Sequence, residues 1–200
     1  MDRLPPWEQL DTLRSELEYD FSVGIEERRK RKKDRIDEIL DMLIIAYMFG
    51  NESANTMLFG EADNDTEFEP VIPIDTDEMK RAIYRKIADK DWEQRVTEYF
   101  DAEDGTVDEI VRVVDTDLNR IYNDAILNVG EQANRNGTVM KTWQTMEDER
   151  VRSTHEFING VTIPIGDRFW TWDGDSARYP GDFSDPANVV GCRCRLLLST

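Results

Sequence analysis

Apolar residues recur at Val107, Ile110, Val111, Val114, Leu118, Ile121, Tyr122, Ala125, Val129 and Ala133. That spacing of three and four lays one continuous stripe along a helix of more than six turns. Thr106 stands just before it as an N-cap, and Glu109 three residues on completes a capping box. A second stripe, Ile36, Ile39, Leu40, Leu43, Ile44, Tyr47 and Met48, predicts a helix from Glu26 to about Phe49, with Gly50 as its stop and a further short helix over Glu52 to Phe59. Leu10, Leu13 and Leu17 mark a short helix before it, and Met79, Ile83 and Ile87 one from Asp77 to about Lys90. Trp92, Val96, Tyr99 and Phe100 continue the amphipathic pattern.

The stripe ends at Asn136-Gly137, and the period changes. Thr138 to Thr145 reads as a strand, Glu147 to Ile158 as a short charged helix, and Asn159-Gly160 as a turn before the β-branched run Val161 to Ile165. Glycines, prolines and aromatics then fill residues 166–186, and 189–198 close as an apolar strand. The fold class is α+β: a mostly helical N-terminal region, 1–137, followed by a small α+β domain, 138–200, with a short β-sheet. Residues 61–78 hold eight acids, no bases and the prolines Pro70 and Pro73, and read as an exposed acidic loop between helical units.

Charge narrows the function classes. The net charge is −18, and residues 34–140 carry ten basic against twenty-six acidic side chains. Phosphate backbones and anionic membrane surfaces are repelled by that middle section. The longest apolar run, Met42 to Phe49, is too short to span a bilayer, so no membrane partner is expected. The first residues lack the apolar core of a signal peptide, and two cysteines one residue apart do not make a disulfide framework. A soluble chain assembled in a reducing cytoplasm is expected.

The basic run Arg28, Arg29, Lys30, Arg31, Lys32 and Lys33 opposes that trend. Six cations in a row encircle a helix, and they sit at its positive dipole end. A solvated helix start is one reading. A contact with a partner protein or with packaged DNA is the other.

The C-terminal third holds an ordered set of residues: Lys141 and Trp143; Asp148, Arg150, Arg152 and His155; Gly160; Phe169; Tyr179-Pro180-Gly181-Asp182; Pro186; and Cys192-Arg193-Cys194. In order and spacing, over residues 140–198, this set resembles the C-terminal module of the Mu-F-like minor head, or head morphogenesis, proteins of tailed bacteriophages. Gly191 departs from that pattern, in which Asn usually precedes Cys-Arg-Cys. The resemblance implies a structural virion protein of low copy number, not an enzyme. It implies association with the portal or the major capsid protein during head assembly in the host cytoplasm, residence in the head interior or at the portal vertex, and an influence on DNA ejection.

Other chemistry remains open in the same residues. His155 is the only histidine, and Cys192 and Cys194 the only cysteines. No cofactor is expected, zinc being the one candidate: these three would supply ligands, with Asp148 or Asp182 as a fourth. The alternative is a hydrogen-bonded core histidine beside small buried thiols. A Cys–His pair oriented by Asp148 and activated by Arg193 and Arg195 would instead make a thiol-dependent effector enzyme. Arg152 and Arg193 are expected to pair with Asp148 or Asp182 in a bidentate knot. Trp143, Phe169, Trp170 and Trp172 are expected to form the small domain's core, with Trp170 and Trp172 sharing one face.

Overall fold

The computed structural model describes residues 5–60 and 70–200. Helices α1 (Leu10–Ser22), α2 (Ile25–Phe59), α3 (Thr76–Ile83), α4 (Trp92–Asp101) and α5 (Val107–Ala133) precede a mixed region: β1 (Met140–Gln144), α6 (Ser153–Glu156), β2 (Thr162–Pro164), β3 (Phe169–Trp170), β4 (Ser176–Ala177), α7 (Pro186–Val189) and β5 (Arg195–Ser199). The α+β class expected from the periodicity is the one observed.

The spine is α5, and its capping box forms as the sequence predicts: the Thr106 hydroxyl accepts from the Glu109 amide, and the Thr106 amide donates to the Glu109 carboxylate. One core cluster surrounds its first half, where Leu13 and Leu17 of α1, Ile39 and Leu43 of α2, Trp92 and Phe100 of α4, and Ile110 and Ile121 meet. A second cluster lies on its last turns. There Ile126, Leu127 and Val129, with Ala54 of α2, pack against Trp143, Phe169, Tyr179, Leu196 and Leu198. One helix therefore serves both cores.

Helix α2 does not stop at Gly50. It runs unbroken to Phe59, about 50 Å, so the separate Glu52–Phe59 helix is its last turns. A Cβ on Gly50 would lie 2.3 Å from the Tyr122 carbonyl oxygen and 2.9 Å from Ala125 Cβ. The glycine is there to let two backbones touch, not to end a helix. The expected Asp77–Lys90 helix is also shorter. It ends at Ile83, and the chain turns through Ala88 and Asp89, both at positive φ, to an Ile87–Lys90 bridge.

Of the expected acidic loop, 61–69 lie outside the described residues. Residues 70–75 are irregular, and Asp75 then caps α3 through the Asp77 and Glu78 amides. Asn55 of α2 holds this connection by a reciprocal pair with the Ile72 backbone, 2.8 Å and 3.1 Å.

The C-terminal sheet has the order β2-β1-β5, antiparallel throughout, with Lys141 opposite Leu198 and Trp143 opposite Leu196. It rests on α5 at Gly130, where a Cβ would meet Ile165 at 2.9 Å and Leu198 at 3.1 Å. The helix expected over Glu147–Ile158 shrinks to the single turn of α6. Glu147 sits at positive φ and Asp148 folds a turn onto the Arg150 amide, which spends the residues a first helical turn would need.

Candidate functional site

Three polar residues of α5 position the Cys-Arg-Cys segment. Thr116 accepts from the Gly191 amide at 3.0 Å, and Asn119 and Asn123 donate to the Cys194 carbonyl at 3.4 Å and 3.2 Å. Asn123 also accepts from the Leu196 amide at 2.8 Å, which fixes where β5 begins. Their spacing, i, i+3 and i+7, makes a polar ladder on a largely apolar helix. Sequence reasoning missed it, and those three polar residues on one side of the stripe were the available signal.

Helix α6 is drawn to the same place. Arg152 donates to the Val190 carbonyl, and Thr154 Oγ1 donates to Asn188 Oδ1 at 3.0 Å. His155, 1% exposed, thereby meets both thiols: its Nδ1 lies 3.7 Å from Cys192 Sγ and 3.5 Å from Cys194 Sγ. Its ring stacks on Phe183 at 5.1 Å and meets Trp143 edge-on at 5.4 Å. Hydrogen bonds from Cys194 and His155 hold Cys192 well below the ordinary thiol value, and the bond to Cys192 together with burial pushes Cys194 up.

Arg193 points outward between the two inward sulfurs and grips Asp148 with both terminal nitrogens, at 2.6 Å and 2.8 Å. The expected bidentate knot is present in that half. Arg152 is not part of it, because its guanidinium is used on Val190. Asp182 serves elsewhere: it pairs with Arg85 at 2.6 Å and Arg168 at 3.4 Å and accepts from the Arg178 amide at 2.8 Å. Both carboxylates weighed as a fourth zinc ligand are therefore engaged by arginines. Arg150 is exposed.

The rest of the motif builds the support. Lys141 is fully buried, donates to the Arg178 carbonyl at 2.9 Å and lies 5.5 Å from the Phe169 ring centre; burial lowers its pKa to about 8. Gly160 adopts φ +74° and donates its amide to the Trp143 carbonyl. The Tyr179-Pro180-Gly181-Asp182 turn lies on α5. Gly181 has φ +98° and a Cβ there would meet Arg120 Cγ at 2.9 Å, while the Tyr179 hydroxyl donates to Asp124 and accepts from Arg85.

Trp143 and Phe169 are buried, as a core requires. Trp170 and Trp172 are not: they are 61% and 62% exposed. They do share one face, but the alternation that buries Phe169 and Thr171 turns that face to solvent.

The basic run is largely spent inside the chain. Arg28 is buried over the Phe21 ring and donates to the Ala102 carbonyl. Arg29 and Lys32 hold Asp101, Arg31 reaches Asp20 at 3.5 Å, and Lys30 pairs with Glu27. Lys33 is exposed.

These features define a helical protein with a small β module seated on its longest helix, held together by buried polar clamps. A family model described as Phage Mu protein F like protein matches residues 76–197, from α3 into β5. The chain belongs to this family of phage head-morphogenesis proteins. No curated protein and no solved structure matches. Among the described residues, no helix is long and apolar enough to cross a membrane.

Proposed function

We propose that the chain is a minor head protein of a tailed phage that works by docking on the portal or major capsid protein, and not by catalysis. The observation that carries this reading is the exposed pair Trp170 and Trp172 on a rigid turn of the family-matched module. Thr171 between them is locked by its hydroxyl to Asp173 and to the Asp175 carbonyl, and its amide bonds the same carbonyl. Two preorganised indoles held in water are poor for solubility and well suited as anchors, since buried Trp dominates many interfaces. The thiols favour the same conclusion. Cys192, Cys194 and His155 are buried, and the cavity beside His155 and Cys194 has room for about one water molecule, too little for a substrate.

In this reading the protein resides in the virion head, at the portal vertex or inside, and its presence there influences DNA ejection. The test is co-expression with the portal and major capsid proteins of the same phage, followed by purification of assembled heads. The wild-type chain is expected in the heads. A Trp170→Ala, Trp172→Ala double variant is expected to keep its Tm and to be absent from them. Incorporation of that variant at the wild-type level would reject the reading.

Direct DNA contact is the weaker reading, because the basic run is committed to Asp20, Glu27, Asp101 and the Ala102 carbonyl.

A further inference from the structure

A core histidine ordinarily anchors at least one ring nitrogen on an oxygen. His155 anchors neither: Nε2 is buried without a hydrogen-bond partner, and Nδ1 faces the two sulfurs. The three ligand atoms, His155 Nδ1, Cys192 Sγ and Cys194 Sγ, all lie within 4.8 Å of one another. Zinc binds sulfur at about 2.3 Å and imidazole nitrogen at about 2.0–2.1 Å, so a tetrahedral site places N and S about 3.5 Å apart. The observed separations are 3.5 Å and 3.7 Å. Both nitrogen–sulfur separations therefore match a tetrahedral zinc site.

We propose that His155 Nδ1, Cys192 Sγ and Cys194 Sγ bind one zinc ion that staples α6 to the start of β5. The Cys-Arg-Cys spacing supports this: with Arg193 turned out to Asp148, both sulfurs face the same imidazole. The charge balance supports it too. One divalent cation neutralises two thiolates, so a buried site carries no net charge from that set. The small cavity beside His155 and Cys194, lined also by Met146, Arg150, Val151, Arg152 and Arg193, has room for one water as the fourth ligand. No carboxylate lines that cavity, and a site closed by protein on three sides with one water is structural here because nothing larger can enter.

Both sulfurs bind as thiolates, so every thiol proton present before binding is released to solvent, and no redox step is involved. The experiment uses the full chain, purified under reducing conditions and stripped with a chelator, with cobalt(II) as the spectroscopic stand-in for zinc. One equivalent is expected to bind, giving thiolate-to-cobalt charge-transfer absorption and the strong d–d bands of a tetrahedral site, both abolished by added zinc. Zinc is expected to raise the Tm. Cys192→Ser and Cys194→Ser are expected to lose the charge-transfer band. Tyr179→Phe, which weakens the same core away from the sulfurs, is expected to keep full metal content, so loss of ligand is separated from loss of fold. A reduced, folded wild-type chain that retains no cobalt, or a cobalt spectrum without sulfur character, or one unchanged in both serine variants, would overturn the proposal.

Discussion

Asp148 and Arg193 form a two-point ion pair across 45 residues, with nitrogen–oxygen distances of 2.6 Å and 2.8 Å. The pair fixes the turn after β1 to the middle of Cys-Arg-Cys from outside, while Thr116, Asn119 and Asn123 fix the same segment from below. Alternation along the extended backbone makes the arrangement consistent: the arginine faces out only when both cysteines face in.

The pair also has a pH signature. Arg193 holds the Asp148 carboxylate below its ordinary value of 3.8. A lowered carboxylate adds stability that is full above 3.8 and fades as pH falls through the lowered value. Asp148→Asn is therefore expected to reduce the Tm slightly at neutral pH, with the gap to wild type closing under acid conditions. Paired thermal melts across that range check it. A gap that widens in acid would mean the pair does not form in solution.

Tyr179 makes the sharper prediction. Its hydroxyl links Arg85 to the half-buried Asp124, whose pKa desolvation already raises. Tyr179→Phe preserves the ring but leaves a half-buried carboxyl short of its donor. A loss of about 2 kcal/mol is expected, the usual cost of an unpaired buried polar group. Urea denaturation measures it, and a change within error would show that Asp124 finds another partner.

How much of this was legible in the chain depends on whether a residue's role is local. The Thr106–Glu109 box, the α5 stripe and the strand at β1 follow from local pattern, and the motif from Lys141 to Cys194 pointed to the family. Trp170 and Trp172 could be assigned to a common face, but not to solvent, since apolar character does not say which side of a two-residue strand is covered. The roles of Asp148 and Asp182 were interchangeable in sequence, and only the fold gives Asp182 to Arg85 and Asp148 to Arg193. The Asn119–Asn123 clamp depends on a carbonyl 71 residues from Asn123, which no local pattern encodes.

Lys141 is a buried cation with one hydrogen bond, and its pKa falls to about 8 from 10.5 because burial disfavours the charge. A lowered folded-state value makes its contribution most favourable above pH 10.5 and progressively lost as pH falls to about 8, below which it is constant. Relative to Lys141→Met, wild type is expected to gain about 3 kcal/mol between neutral pH and the upper end of that window. Denaturant titrations of both proteins at the two ends measure the difference, and shared tyrosine and arginine effects cancel. A gap that stays flat would place the ammonium in water.

Gly50→Ala tests the helix pairing by the sign of its effect. In an exposed helix, or at a helix end with ordinary backbone angles, alanine in place of glycine stabilises by about 1 kcal/mol through lower chain entropy. In this fold the new methyl would fall 2.3 Å from the Tyr122 carbonyl and 2.9 Å from Ala125 Cβ. Neither neighbour is the free end of a flexible side chain, so α2 and α5 must separate along much of their shared length. Overpacking of this kind costs about 1–3 kcal/mol or more. The expected result in denaturant is a net loss of about 2 kcal/mol, because the steric term exceeds the propensity gain. A more stable variant would instead mean that α2 breaks at Gly50, and that α5 does not carry both cores against one continuous partner.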